Sequence, residues 1–331
     1  MSTIIAETAL AISTQRLMFA GQPVLLHTNS PKIARYAREF LSEDRDTKSR
    51  LTSASASITI HARNGVDDVC NGAPHFRARG AFGHIRFTSA DSFWFNLHAR
   101  EVFGTCSQQL ADDCRRWHAH IFPALLGTLS ASIDVAPVHA ACLALGNDGL
   151  LLAGPSGAGK STLTIAMARR GFGLLADDWT YLSEGNGFIE RGINAWGLPV
   201  PIKLLPDAHL FFRELLAYRT NLSLNSEMAY EVFPESCFGV VRTPRCRVRT
   251  VVLLQRSTRT GCSILPIKAE EAARHLQAEV EPLDGKLAHC HQKQLDIIRH
   301  AVDNASCYRF LFNDHPDRVA GALEEALARM S

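Results

Sequence analysis

Residues 154–162 read Gly-Pro-Ser-Gly-Ala-Gly-Lys-Ser-Thr, and this stretch decides the fold. It fits the pattern G-x-x-x-x-G-K-[ST], which is typical of phosphate-binding loops. The nine residues of the stretch are Gly154, Pro155, Ser156, Gly157, Ala158, Gly159, Lys160, Ser161 and Thr162. Glycines let the backbone turn its N–H groups toward phosphates, Lys160 adds a compact cation, and the Ser161 hydroxyl is suited to ligate Mg²⁺. The pattern therefore predicts a nucleoside-triphosphate site.

The residues on either side of the loop favour this interpretation over an accidental glycine-rich turn. Residues 149–153 are apolar and predict a short buried strand, and residues 161–170 predict a helix. Arg169 and Arg170 suit the negative end of that helix, and Gly171 suits the position just past it. A strand, a loop and a helix in this order are the context that the motif requires.

Length and composition limit the number of domains, the kinds of partner and the cellular location that we expect. The chain has 331 residues, enough for one large or two modest domains, and 46% of them are hydrophobic. A formal net charge of +2 argues against nucleic acid or an anionic membrane as the main partner. No basic segment precedes the first apolar residues, and no apolar stretch approaches the roughly 20 residues that span a bilayer, so we expect a cytoplasmic protein. The nine cysteines include no C-x-x-C pair, which indicates reduced thiols.

The pattern of the chain changes near residue 130. Residues 1–130 predict a β-rich region, with strands at 23–28, 56–61, 83–87 and 93–97, a helix that Ser30 and Pro31 begin, and a helix over 108–129. Residues 131–331 predict the catalytic domain, with a hairpin over 140–153, strands at 173–182 and 248–255, and helices at 269–279 and 316–330. The first region either recognises a substrate or extends the sheet. An exposed strand edge there could capture an extended peptide.

The second informative feature is a pair of carboxylates, Asp177 and Asp178, 17 and 18 residues after Lys160. Phosphoryl transfer needs an acidic group near Mg²⁺ and, for a hydroxyl acceptor, a base that takes its proton. One helix and a short turn separate the loop from the acids, so we expect the two to lie on neighbouring strands. The alternative is a polar turn at the end of a strand.

Three segments together resemble the catalytic core of HPr kinase/phosphorylase and its relatives: residues 138–140, the loop, and residues 170–178. The match is closer to divergent HPr-kinase-like proteins, which include kinases that phosphorylate a serine of a lasso-peptide precursor. It covers roughly residues 135–255. The resemblance implies an α/β fold, namely a P-loop kinase core of the HPr kinase/PEP carboxykinase type with a mixed sheet, beside the β-rich N-terminal region. It also implies ATP and Mg²⁺ as cofactors.

The resemblance also implies roles for individual residues. Lys160 matches the family's phosphate lysine, and Ser161 matches a Mg²⁺ ligand. Asp178 matches the carboxylate that accepts the proton of the acceptor hydroxyl, and Asp177 would belong to the metal site by lying just outside the metal's direct ligands or by bridging to it. His139 matches a histidine that faces the phosphate and the carboxylates; the alternative is a surface histidine at a strand end.

Two segments depart from the family pattern. The family signature Glu-Ile-Arg-Gly-Leu-Gly carries a second Mg²⁺ ligand, and the nearest match here is Glu190, followed by Arg191 and Gly192. Alternatively, Glu190 is an ordinary strand residue without a metal. Because this segment departs from the family signature, the sequence does not decide whether the chain catalyses the reverse, phosphorolytic reaction. Arg242 or Arg245 could stabilise the transferring charge, or the arginines at 242, 245, 247 and 249 form one solvated basic face.

The sequence therefore predicts an ATP-dependent kinase that phosphorylates a serine or threonine hydroxyl of a peptide or small protein, such as a ribosomal-peptide precursor. A kinase with a small-molecule acceptor is the first alternative, and a nucleotide-binding regulatory protein is the second. Lys203 could reach a phosphate or remain an exposed lysine. The preference for ATP over GTP is open, and a homo-oligomer is an expectation from the resemblance.

Overall fold

The computed structural model describes residues 12–43, 55–64, 74–185, 192–223 and 227–330. These residues form two compact units, and the division falls between Leu125 and Leu126. Residues 20–22 belong with the second unit, and the first unit consists, among the described residues, of 12–19, 23–43, 55–64 and 74–125. The predicted Mg²⁺ ligand Glu190 lies outside the described residues.

The first unit is built on a mixed sheet of eight described strands in the order β3-β1-β2-β4-β8-β7-β6-β5. The strands are β1 (Ser13–Phe19), β2 (Gln22–Thr28), β3 (Ser42–Glu43), β4 (Ala56–Arg63), β5 (His75–Arg79), β6 (Phe82–Arg86), β7 (Ser92–Asn96) and β8 (Glu101–Ser107). The four strands predicted in this region correspond to β2, β4, β6 and β7. Side chains alternate along β4, with Ile58 and Ile60 buried, because successive residues of a strand point to opposite faces.

The helices that begin in the first unit are set by local capping side chains. Helix α1 (Pro31–Phe40) begins as predicted, since the Ser30 side chain accepts a hydrogen bond from the Ile33 N–H at 3.3 Å. The helical segment predicted over 108–129 is present but interrupted. The chain forms α2 (Gln108–Ala111), α3 (Cys114–Arg116), a π-helical turn at Trp117–Ile121 and α4 (Phe122–Ser130). The break lies at Asp112 and Asp113, because Asp113 accepts from the Arg116 N–H and so caps a new helix.

The second unit is also mixed α/β, and its main sheet has nine described strands. They are β9 (Ala136–Val138), β10 (Ala140–Leu145), β11 (Asp148–Ala153), β12 (Gly173–Ala176), β13 (Thr180–Glu184), β14 (Ile193–Trp196), β18 (Arg245–Arg256), β19 (Gly261–Pro266) and β20 (Ser306–Asn313). The order is β12-β10-β11-β18-β14-β13-β9, with β20 beside the second half of β18 and β19 beside β20. The pairs β11–β18 and β18–β20 are parallel and the others antiparallel, which agrees with the predicted mixed sheet.

Helices cover both faces of this sheet. Helices α5 (Lys160–Ala168) and α9 (Pro316–Met330) pack on one apolar core, and α7 (Ala269–Gln277) and α8 (Ala288–Asp303) pack on the other. A small sheet carries the remaining strands, which are β15 (Ile202–Leu204), β16 (Asn221–Leu222) and β17 (Met228–Val232), and is followed by α6 (Pro234–Phe238).

The strand predicted over 173–182 is interrupted. It divides into β12 and β13, which occupy different places in the sheet, and Asp177, Asp178 and Trp179 form the connection. In a continuous strand, successive side chains point to opposite faces, so one carboxylate would be buried in each of the two apolar layers. The two aspartates therefore lie in a connection outside the hydrogen-bonded strands. The expectation of neighbouring strands is also wrong, because β10 lies between β11 and β12.

The described residues also show the length of the helices and the state of the cysteines. None of the described helices is long and apolar enough to cross a membrane. None of the eight described cysteines is joined in a disulfide, and the sulfur atoms of Cys142 and Cys246 lie 3.7 Å apart. Cytoplasmic localisation stays a prediction.

Candidate functional site

The glycine-rich loop connects the buried strand β11 to the first residue of α5. Gly154 leaves the strand so close to β18 that an added Cβ would lie 2.8 Å from the Leu254 carbonyl oxygen. Gly159 caps α5 at φ +95°, a left-handed conformation that glycine adopts without steric cost. Pro155, Ser156 and Gly157 are exposed. The loop is therefore an open turn at a helix N-terminus, where backbone N–H groups and the helix dipole favour an anion.

Lys160 lies inside this turn. Its side chain is buried, and the ammonium donates to the Gly154 carbonyl at 2.7 Å and to the Pro155 carbonyl at 3.5 Å. Burial lowers the pKa of Lys160, while the charges of Asp178, Asp177 and Glu279 raise it. A buried cation thus stands at the centre of the loop, within reach of three carboxylates.

Asp177 is the most unusual group of the site. Its side chain is 7% exposed, and within the described part of the chain its Oδ1 atom is buried with no hydrogen-bond partner. Burial and then the charge of Asp178 raise its pKa to about 7, although hydrogen bonds from the Ser161 hydroxyl and the Lys203 backbone lower it. A buried carboxylate oxygen without a donor is costly unless a cation or a ligand completes it.

His139 and Asp178 form a pair beside this carboxylate. His139 connects β9 to β10, and its Nε2 lies 2.9 Å from Asp178 Oδ1. Its Nδ1 lies 3.9 Å from Glu279 Oε2, and its ring stacks on Trp179 with centroids 5.4 Å apart. The Asp178 side chain is 65% exposed. The histidine therefore fixes an accessible carboxylate at the edge of the loop.

Three members of the cluster were not predicted from the sequence. Glu279 follows α7, and His275 lies on it, where burial lowers its pKa and the charges of Glu279, Lys160 and His139 act on it. Arg256 ends β18, and its guanidinium lies 2.8 Å from the Cβ position of Gly159, over the Phe312 ring. These residues belong to no motif, because a helix and a strand from the distant C-terminal part of the chain bring them to the loop.

The side chains of the predicted arginines and of Lys203 are engaged outside the loop. Arg242 pairs with Glu235 and donates to the Leu198 and Val200 carbonyls at 3.0 Å, so it holds together the second unit rather than facing the loop. Arg245, Arg247 and Arg249 are exposed at alternate positions of β18, which agrees with the solvated basic face. The Lys203 ammonium pairs with Glu227, while its backbone donates to Asp177.

Comparisons with known proteins give a distant likeness. No family model matches the chain, and no curated protein matches its sequence. Among solved structures, the HPr(Ser) kinase/phosphatase from Coxiella burnetii is similar at 16% identity and a TM-score of 0.30. The similarity covers 59% of this chain and 97% of that chain. An identity and a TM-score this low do not assign the chain to that family.

Proposed function

We propose that the chain is an ATP-dependent kinase that transfers the γ-phosphate to a serine or threonine hydroxyl of a peptide or small protein. One observation carries the proposal. The Asp177 Oδ1 atom is buried without a hydrogen-bond partner, although the Asp177 side chain accepts a hydrogen bond from the Ser161 hydroxyl. This carboxylate lies beside the buried Lys160 of the glycine-rich loop. A site that gathers oxygen ligands and a cation at a helix N-terminus supports binding of a metal-bound phosphate.

The residues present fit Mg²⁺ and a nucleotide. Mg²⁺ takes oxygen ligands, often one or two carboxylates together with substrate phosphates, and Asp177 and Ser161 offer such oxygens side by side. The open turn at 154–159, Lys160 and Arg256 offer N–H groups and positive charge to phosphates. When bound, Mg²⁺ neutralises charge on the phosphates and makes the terminal phosphorus easier to attack.

Different residues of the chain have different roles in phosphate transfer. Lys160 and Arg256 stabilise the negative charge on the phosphate oxygens. Asp178 accepts the proton that the acceptor hydroxyl loses as its oxygen bonds to the γ-phosphorus and ADP departs. His139 holds Asp178 through the 2.9 Å contact, and Trp179 and Glu279 hold the imidazole in turn. Glu190 as a second metal ligand stays a prediction.

The exposure of Asp178 supports an acceptor that approaches from solvent. With its side chain 65% exposed, Asp178 is open to a hydroxyl on a polypeptide segment as well as on a small molecule. The absence of nucleic-acid and membrane partners, the cytoplasmic location and a homo-oligomeric state remain predictions.

The experiment that tests the proposal is phosphate transfer from γ-labelled ATP with Mg²⁺. The purified chain is incubated with short serine-containing peptides encoded beside its gene and, separately, with a panel of hydroxyl metabolites. We expect one peptide to gain one phosphate, and its serine-to-alanine version to gain none. The Asp178→Asn variant should lose transfer, whereas Asp317→Asn, which removes an exposed carboxylate on α9, should keep it.

The other outcomes discriminate the alternatives. Phosphate on a metabolite with none on any peptide would support a small-molecule kinase. Nucleotide binding without transfer to any acceptor would support a regulatory protein. Transfer that survives in Asp178→Asn would refute the proposed role of that carboxylate.

A further inference from the structure

Strand β5 forms one edge of the sheet in the first unit. It pairs with β6 on one side, and no other described strand pairs with it. Gly80 and Ala81 form the two-residue turn between them, with Gly80 at φ +60°. The pair that closes such a turn exchanges both hydrogen bonds, so Arg79, Arg77 and His75 direct their backbone groups to β6. The backbone N–H and C=O groups of Phe76 and Ala78 therefore point outward along the edge.

The two faces of this edge differ in chemistry. Arg77 and Arg79 lie on the face that β6 continues with His84 and Phe82, because these are their cross-strand partners. Phe76 lies on the opposite face, where its ring stacks on Phe95 at 5.4 Å yet remains 53% exposed. The edge thus presents arginines on one side and an uncovered aromatic ring on the other.

The positive charge extends beyond β5. In the sequence of strands β4–β8, the basic residues are His61, Arg63, His75, Arg77, Arg79, His84 and Arg86. The acidic residue in these strands is Glu101. Burial lowers the pKa of His84, and the charges of Arg86 and Arg77 lower it further. Among the described residues, neither Arg77 nor Arg79 has an acidic partner. The face therefore has a surplus of positive charge that this unit does not neutralise.

Exposed aromatic side chains lie on the arginine face of the sheet, on the strands next to β5. Trp94 on β7 lies between His84 and Phe103, with ring centroids 5.2 and 6.0 Å away. Trp94, Phe103 and Phe82 are 41%, 49% and 58% exposed. A contiguous set of exposed aromatic rings is uncommon on the surface of a monomer and indicates an interaction surface.

We propose that the β5 edge docks an extended polypeptide segment in which acidic and apolar residues alternate. The segment adds as a strand, its backbone bonding to Phe76 and Ala78, its acidic side chains facing Arg77 and Arg79, and its apolar side chains covering Phe76. Arg77 and Arg79 alone would fit an edge that charge protects against aggregation, but the uncovered Phe76 beside them favours a docking site.

The chemistry of the edge favours a polypeptide over single-stranded nucleic acid. Nucleic acid could stack on Trp94 and bind the arginines, but it has no strand backbone to pair with Phe76 and Ala78. A strand also matches the size of the edge, because the five residues of β5 span about 17 Å. The inference rests on the proposed function only because it takes the docked segment to be part of the phosphate acceptor.

The test measures binding without nucleotide. The probe is a fluorescein-labelled eight-residue peptide of alternating glutamate and valine, and the readout is its anisotropy with the full chain. We expect saturable binding, and a version with N-methylated amides along one edge should lose it. The double variant Arg77→Glu/Arg79→Glu should weaken binding about tenfold or more, and it should gain affinity for the lysine–valine peptide of the same length. This exchange of preference shows direct contact and excludes unfolding as the cause.

The matched control is Arg318→Glu/Arg329→Glu, which makes the same change of charge at exposed positions of α9 and should leave binding unchanged. Equal binding of the N-methylated peptide, or no effect of reversal at Arg77 and Arg79, would overturn the proposal. So would competition by an oligo-uridylate at lower concentration than the peptide, or self-association of the chain that the same double variant abolishes. Asp178→Asn should bind the peptide normally, so failure of docking and failure of phosphate transfer are distinguishable.

Discussion

The raised pKa of Asp177 predicts that this buried carboxylate destabilises the metal-free protein. Its pKa rises from 3.8 to about 7, and each unit corresponds to about 1.4 kcal/mol. At pH 8 the ionised carboxylate therefore costs the fold about 4 kcal/mol relative to the unfolded chain. The substitution Asp177→Asn removes the charge and keeps an oxygen for the Ser161 hydroxyl and the Lys203 N–H. We expect the variant to be more stable than the wild type by about 2 kcal/mol, because the new amide group recovers only part of the cost.

The direction of the pH dependence follows from the same shift. Because the folded pKa is above the unfolded one, the stability that the protonated group contributes is present below pH 4 and is lost as the pH rises through about 7. The advantage of Asp177→Asn should therefore shrink by about 2 to 3 kcal/mol between pH 8 and pH 5. The assay is urea unfolding in EDTA, followed by pulsed hydrogen exchange on peptides from residues 126–330, which report on the second unit.

The same prediction extends to the stability of the protein with magnesium and nucleotide added. They should stabilise the wild type and leave Asp177→Asn nearly unchanged, because the variant lacks the charged ligand. A variant that is less stable than the wild type at both pH values would refute the reasoning, since it would show that Asp177 Oδ1 is well satisfied in the metal-free fold.

Three further substitutions test the site. Asp178→Asn should reduce kcat by about 100-fold or more and leave the nucleotide Kd unchanged, measured by single-turnover transfer and by calorimetry; an equal loss in both would point to a binding role. Lys160→Ala should weaken nucleotide binding and turnover together, and normal affinity would contradict its place on the phosphates. Arg256→Ala should raise the nucleotide Kd about tenfold, whereas Arg329→Ala at the exposed end of α9 should not; equal effects would remove Arg256 from the site.

Local patterns were enough to predict the parts of the fold that depend on neighbours in sequence. The hairpin of β10 and β11 follows from apolar runs around residues 146–149, and α1 follows from the Ser30–Pro31 start. The loop at 154–159 also lies between a buried strand and a helix as its motif requires. These features depend on side chains a few residues apart, which the sequence displays directly.

Long-range pairing could not be predicted in the same way. The largely apolar segment 173–182 resembles one strand in sequence. It is broken at Asp177 and Asp178 because apolar layers cover both faces of the sheet. The insertion of β10 between β11 and β12 likewise depends on strand order. Arg256, His275 and Glu279 reach the loop through β18 and α7, so their place in the cluster is visible only in three dimensions.

The most direct test of the account is the Mg²⁺ dependence of ATP binding, measured by isothermal titration calorimetry on the wild type and on Asp177→Asn. We expect EDTA to weaken ATP binding to the wild type about tenfold or more, and we expect Asp177→Asn to bind ATP weakly with or without Mg²⁺. ATP binding that is indifferent to Mg²⁺ in the wild type, or a full Mg²⁺ effect retained in Asp177→Asn, would contradict the assignment of this carboxylate and of the site built around it.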